Sequence, residues 1–270
     1  MERARPSVVV ALLTPFADTG DLDVGALGEH LEFLLEAGVD GVMPCGTTGE
    51  GALLDEDEAA AAIGATVERV GGRAEVLAHV GRPATHAAVR LLRRAFEAGA
   101  DAVSAVVPYY YPLDDSAVRD HFRALLAATE NRLFAYNIPA RTGNDLSAET
   151  AAALAADGLA GVKDSTKSLD RHREYLRVAP PGFAVYMGSD GLVLDAFRAG
   201  AAGCVSALAN VRPDLLVRLA AAVAGGQDDE ADRLQQEIAR LRAETSGPAA
   251  LKRALAERLD YPAAVRPPLG

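Results

Sequence analysis

The residue with the greatest chemical potential in this chain is a lysine at the end of an apolar run. Lys163 follows Leu159-Ala160-Gly161-Val162, a setting in which a lysine either pairs with an anion or emerges into a cavity. Desolvation disfavours the ammonium, lowers its pKa and makes the neutral amine accessible. A neutral amine attacks a ketone and gives an iminium, an electron sink that acidifies the neighbouring carbon. The competing reading is a structural ion pair with a carboxylate such as the adjacent Asp164, and position alone leaves both open.

Other reactive types stand at comparable places. Gly46-Thr47-Thr48-Gly49-Glu50 offers two hydroxyls and several backbone N–H groups in a flexible turn, an arrangement that can cradle a carboxylate. It also reads as an ordinary capped turn. Tyr110 and Tyr136 carry phenols that both donate and accept protons, although an aromatic rim also serves packing alone. Arg141 presents a planar fork suited to a carboxylate, or is a surface arginine. His79 and His86 read as loop or helix residues rather than metal ligands, because no carboxylate–histidine spacing accompanies them. A phosphate site at Gly188-Ser189-Asp190-Gly191 is disfavoured, since Asp190 would repel the anion.

Elements must hold these groups together. Eight short apolar runs, 7–13, 41–44, 74–80, 102–107, 132–136, 158–163, 183–187 and 203–207, alternate with amphipathic stretches. Many are valine-rich and continuous, as parallel strands buried on both faces are. Two of the intervening stretches end in Ala-Gly-x-Asp, at Ala37–Asp40 and Ala98–Asp101, where glycine supplies a helix C-cap. The pattern predicts an α/β fold, a closed (β/α)₈ TIM barrel. A doubly wound sheet is the alternative, but the first turn, Thr14-Pro15-Phe16-Ala17, lacks the glycine-rich fingerprint of that fold. The barrel is expected over residues 1–211. Helices at 213–224, closing the eighth βα unit, and at 228–245 and 248–259, forming a cap, then make up a C-terminal extension, 212–270, packed on the barrel. In such barrels chemistry sits at the C-terminal ends of strands, which is where Thr47, Tyr110, Tyr136, Arg141 and Lys163 all fall.

Composition narrows the partners. The 270 residues include 38 acidic and 27 basic ones, for a net charge of −11. That balance repels nucleic acid and anionic membranes, and no basic stripe or aromatic platform offsets it. No apolar run is long enough to span a bilayer. Arg3 and Arg5 precede an apolar stretch that stops at Thr14-Pro15, too early for a secretory signal, so a cytoplasmic location is expected. Cys45 and Cys204 are too few and too far apart for a disulfide framework or zinc site.

Five motifs in one order resemble the dihydrodipicolinate synthase/N-acetylneuraminate lyase family of class I aldolase-like enzymes. They are Gly46-Thr47-Thr48-Gly49-Glu50, Tyr136-Asn137 with Arg141-Thr142-Gly143, Gly161-Val162-Lys163-Asp164, Gly188-Ser189-Asp190 and Gly203-Cys204-Val205-Ser206. The likeness extends nearly end to end. It implies that Lys163 forms the iminium with pyruvate or another 2-oxo acid, that Tyr136 shuttles the proton, and that Thr47 links Tyr136 to Tyr110. It further implies that Thr48 and nearby amides around Gly46 hold the substrate carboxylate, that Val205 lines the lysine pocket, and that Gly188 lies close by. Tyr109 would be contributed across a subunit interface in a homodimer or homotetramer. No metal or organic cofactor is called for, since the lysine is itself the electron sink.

Arg141 stands where dihydrodipicolinate synthases place the arginine that grips the carboxylate of aspartate semialdehyde, which puts that condensation first. Other residues depart from the synthases. Gly51 replaces their usual serine, and Ala78-His79-Val80-Gly81-Arg82 replaces their Gly-Thr-Gly pattern. Pro108-Tyr109-Tyr110-Tyr111-Pro112 is more similar to 2-keto-3-deoxygluconate aldolases, so a sugar-acid aldolase or dehydratase is the second reading. A catalytically silent barrel that binds a small acid or a partner is the reading from another class.

Overall fold

Eight parallel strands close on themselves in chain order. In the computed structural model, which describes residues 4–269, they are β1 Ser7–Val10, β2 Gly41–Val42, β3 Glu75–His79, β4 Ala102–Val106, β5 Leu133–Asn137, β6 Gly161–Asp164, β7 Ala184–Met187 and β8 Gly203–Ser206. Pairing of β1 with both β2 and β8 shuts the barrel. Side chains alternate across the wall because the strand period is two. Val9, Met43, Leu77, Phe134, Tyr136 and Val205 fill the interior. Val8, Val10, Val76, Ala78 and Val162 face the surrounding helices and form the larger core.

Helices follow the strands: α1 Val24–Glu36, α2 Glu56–Val70, α3 Thr85–Glu97, α4 Asp115–Leu126, α5 Pro139–Thr142, α6 Ala148–Ala156, α7 Leu169–Val178, α8 Val193–Ala199 and α9 Pro213–Ala224. Several begin where a short polar side chain satisfies a free backbone N–H. Asp23 caps α1, Asp114 caps α4, Ser147 caps α6, and Asp55 makes a reciprocal capping box with Glu58 on α2.

Most boundaries shift from the sequence reading, β1 for instance ending at Val10 rather than 13, and three differences have a clear local reason. β2 stops at Val42 rather than residue 44, because Pro44 has no N–H to give and Cys45 turns the chain with φ 61°. β6 begins at Gly161 rather than 158. Gly158, with φ 108°, instead ends the turn after α6, and Leu159 N–H still bonds Leu154 O at 2.9 Å. The one-turn helix α5 forms inside a stretch read as loop; Pro139 opens it with φ already set for a helix.

Beyond α9, helices α10 Asp228–Glu244 and α11 Gly247–Ala256 complete the chain, close to the expected spans. Both reach the face where the strand C-termini open. Gln235 of α10 accepts from Leu194 N–H and donates to Asp190 O, at 2.9 and 3.0 Å. From α11, Lys252 is fully buried against Glu50 with an N···O distance of 2.6 Å, and it also donates to Ala264 O at 2.7 Å. Arg266 continues the strap: its N–H donates to Glu50 at 2.8 Å and its guanidinium grips Glu58. The helical extension is thereby tied to the turn that follows β2. Among the described residues, no helix is long and apolar enough to cross a membrane.

Candidate active site

Lys163 is third in β6, and its parity turns it into the barrel, where it is 4 % exposed. The strand register sets it between Tyr136 of β5 and Tyr186 of β7. Its Nζ stands 3.9 Å from the centre of the Tyr136 ring and 3.9 Å from the Met43 sulfur. Burial pushes its pKa below the ordinary lysine value, opposed by Tyr136 and, at longer range, by Asp190. The ion pair with Asp164 does not form. Asp164 faces the other side of the wall, where it accepts from Thr166 N–H and Oγ1 at 2.9 and 2.7 Å and lies 3.3 Å from His172 Nδ1.

A cavity of about 310 Å³ opens beside Lys163 and Tyr136; Thr47 borders it, whereas those two residues lie just behind its wall. Thr47, Gly46, His79, Tyr109, Ile138 and Arg141 contribute to its wall. Thr47 Oγ1 and Tyr136 OH are 3.3 Å apart, so the phenol that covers Lys163 is linked to the cavity through one hydroxyl. The turn bearing Thr47 is compact. A side chain at Gly51 would put its Cβ 1.7 Å from Cys45 O, so the serine usual in synthases has no room in this turn. Gly188 is held small in the same way: a Cβ there would lie 2.1 Å from Ser165 Oγ and 3.2 Å from Lys163 Cε.

The predicted residues divide accordingly. Lys163, Tyr136, Thr47, Gly188 and Val205 converge inside the barrel mouth, with Gly46 beside Met43. Arg141 reaches the cavity from α5, exposed and without an ion pair among the described residues. Thr48 is half-buried and does not border the cavity. The tyrosines of the 108–112 loop have different settings within the chain. Tyr109 lines the cavity of its own chain, whereas Tyr110 is 84 % exposed, has φ 85° and makes no bond to Thr47 within the chain.

Three contributors go beyond the sequence reading, in which His79 is a loop or helix residue rather than the last of a strand, and Asp190 only an obstacle to phosphate. His79 ends β3 and is 5 % exposed, edge-on to the Tyr136 ring at 5.8 Å between centres. It shares inward parity with Leu77, which was a usable signal. Asp190 is buried, its Oδ1 2.5 Å from Ser206 Oγ and its Oδ2 3.1 Å from Arg242 Nε. Pro248, Pro268 and Leu269 bring the C-terminal segment to the cavity wall, a contact that only the folded chain creates. Among the described residues, no three His, Cys, Asp or Glu side chains gather as a metal site would.

Comparison with known proteins agrees with this geometry. An uncharacterized DapA-like lyase of Halobacterium salinarum is 40 % identical over 264 residues, 97 % of this chain and 83 % of the relative. The crystal structure of dihydrodipicolinate synthase from Aquifex aeolicus superposes with a TM-score of 0.94 at 33 % identity, covering 98 % of this chain and 92 % of that one. YagE, an Escherichia coli K12 prophage protein of the dihydrodipicolinic acid synthase family solved in complex with pyruvate, gives 0.95 at 26 % identity, covering 98 % and 92 %. The model of the dihydrodipicolinate synthetase family matches residues 5–270. This chain is an enzyme of the class I aldolase type and belongs to the dihydrodipicolinate synthetase family.

Proposed function

We propose that the enzyme joins pyruvate to an aldehyde through a Schiff base on Lys163. The observation that carries this reading is the buried, unpaired Lys163 ammonium packed on Tyr136, with Thr47 leading from Tyr136 to the cavity. The neutral amine attacks C2 of pyruvate, and loss of water gives the iminium. Removal of a proton from C3, with Tyr136 as the relay, gives the enamine. C3 then bonds to the aldehyde carbon, the new alkoxide takes a proton back through Tyr136, and hydrolysis frees the lysine. The same steps in reverse cleave an aldol.

For the second substrate, the resemblance to synthases and the free Arg141 fork at the cavity favour aspartate semialdehyde, a dihydrodipicolinate synthase-like condensation. A 2-keto-3-deoxygluconate-type aldolase or dehydratase is the second reading, favoured by His79, which puts an imidazole in the cavity wall. The outward pair Tyr110 and Tyr111, 84 % and 70 % exposed, supports a homodimer or homotetramer in which Tyr110 is offered to a second copy. Thr48 and the amides near Gly46 remain the proposed holders of the pyruvate carboxylate. The test is to incubate the enzyme with pyruvate and, separately, aspartate semialdehyde, glyceraldehyde, glyoxylate or N-acetylmannosamine, and to identify products by mass spectrometry. A pyruvate adduct of one aldehyde, lost in Lys163→Ala, supports the reading. No product with any of them, in either direction, counts against it.

A further inference from the structure

His79 is a buried side chain that the reaction above does not use. It closes β3, borders the cavity, and its Nδ1 has no hydrogen-bond partner. Among the described residues, no carboxylate forms an ion pair with the ring. Its cationic neighbour Arg82 spends one guanidinium N–H on Gly81 O at 3.0 Å and leaves another buried without a partner. Burial, together with the charges of Lys163 and Arg82, pushes the His79 pKa down to about 3, so at neutral pH the ring is uncharged. A neutral imidazole carries one N–H donor and one lone-pair acceptor. Nδ1 is sealed from the cavity, so a ligand meets the ring through Nε2, which no described residue engages. A hydroxyl, which donates and accepts, matches such a ring; a methylene does not.

The ring also stands at the reacting centre. Its edge meets the Tyr136 ring at 5.8 Å between centres with the planes at 83°, while Lys163 Nζ lies 3.9 Å from the centre of that ring. An aldehyde oriented for attack by the enamine, with its oxygen toward Tyr136, therefore brings the carbon next to its carbonyl close to His79. Val106, Ile138 and Leu53 supply an apolar remainder to the wall, which makes a hydrogen bond to His79 count for more than it would in open solvent.

We infer that His79 determines specificity for the second substrate, hydrogen-bonding a hydroxyl on the carbon adjacent to the aldehyde and so selecting 2-hydroxy aldehydes. This rests on the Schiff-base chemistry proposed for Lys163 and on the second, sugar-acid reading of its acceptor, since aspartate semialdehyde carries no hydroxyl next to its carbonyl.

The decisive comparison is kcat/KM with saturating pyruvate for glyceraldehyde and 3-hydroxypropanal, which differ only in the 2-hydroxyl, alongside aspartate semialdehyde. The wild-type enzyme should favour glyceraldehyde over 3-hydroxypropanal by roughly tenfold or more. His79→Leu should bring that ratio to near unity, and His79→Asn, which keeps a donor and an acceptor, should retain an intermediate ratio. Equal use of the two aldehydes by the wild type overturns the inference, as does an unchanged ratio in both variants. A parallel loss with both aldehydes in His79→Leu would assign the ring to supporting Tyr136 instead. Preference for aspartate semialdehyde, undisturbed in the variants, would uphold the synthase-like reading and overturn this one. Failure of the wild-type enzyme to form any borohydride-trapped pyruvate adduct would refute the Schiff-base chemistry itself, and this inference with it.

Discussion

Replacing Lys252 with methionine should cost far more stability than its distance from Lys163 suggests. Lys252 and Glu50 are both fully buried, 2.6 Å apart, and the Lys252 ammonium also lies over the Phe16 ring at 4.4 Å. Deleting one member of such a pair leaves the other charge stranded away from water, which typically costs about 3–5 kcal/mol. For a chain of this size, that is a fall in Tm on the order of 10 °C. Removing both charges together, Glu50→Gln with Lys252→Met, strands nothing and should recover most of the loss. Glu50 also accepts from Arg266 N–H at 2.8 Å and borders the cavity two residues from Thr48. The single variant should therefore lower kcat/KM as well, through the Gly46–Gly51 turn. Thermal melts of the two single variants, the double variant and the wild type make the cycle. A Lys252→Met protein within about 1 kcal/mol of wild type, or a double variant no better than the worse single, would refute the argument that this ion pair locks the C-terminal strap to the turn.

Other consequences are equally specific. Gly188→Ala presses a methyl against Ser165, Asp164 and the Lys163 stem, at 2.1, 3.0 and 3.2 Å; overpacking of this kind costs about 1–3 kcal/mol, and pyruvate trapping should slow at least tenfold. A variant with unaltered trapping kinetics would mean that the lysine has slack the geometry denies. The rate of adduct formation should rise with pH through a midpoint below 10.5, the ordinary lysine value, because burial disfavours the Lys163 ammonium; a midpoint at or above that value contradicts the desolvated setting. Acid should destabilise the fold through three histidines whose pKa burial lowers, His30 and His121 to about 4 and His79 to about 3. The unfolded chain binds those protons from about pH 6.5 downward while the folded one does not, so this stability is complete above pH 6.5 and is lost as pH falls toward 4. At pH 5 each ring accounts for on the order of 2 kcal/mol, and a denaturation midpoint that holds steady between pH 7.5 and 5 would count against it.

The sequence discloses the barrel because its signals are repeated and local. Valine-rich runs, glycine stops and polar caps recur about the ring, and each of the eight strands falls on an anticipated segment, β5 and β6 running one residue past its end. Lys163 is legible for the same reason: an ionisable residue at the end of an apolar strand is conspicuous, and strand parity alone decides that it faces inward while Asp164 faces out. His79 obeys the same parity rule, yet its reactive setting depends on Tyr136 and Lys163, which lie 57 and 84 positions away, and a lone histidine carries no motif. The places of Tyr109 and Tyr110 turn on one backbone angle, the φ of 85° at Tyr110, for which a run of three tyrosines gives no cue. The strap is hidden for another reason. Lys252 and Arg266 look like surface charges until the fold carries them more than 200 residues back along the chain to Glu50 and Glu58.

The central claim is that Lys163 is a nucleophile, and the most direct measurement is to incubate the protein with pyruvate, reduce with borohydride and locate the adduct by mass spectrometry. The account predicts one reduced pyruvate on Lys163, absent from Lys163→Ala and formed more slowly when Tyr136 is replaced by phenylalanine. An unmodified Lys163 under conditions that trap another member of this family, or an adduct on a different lysine, would contradict it.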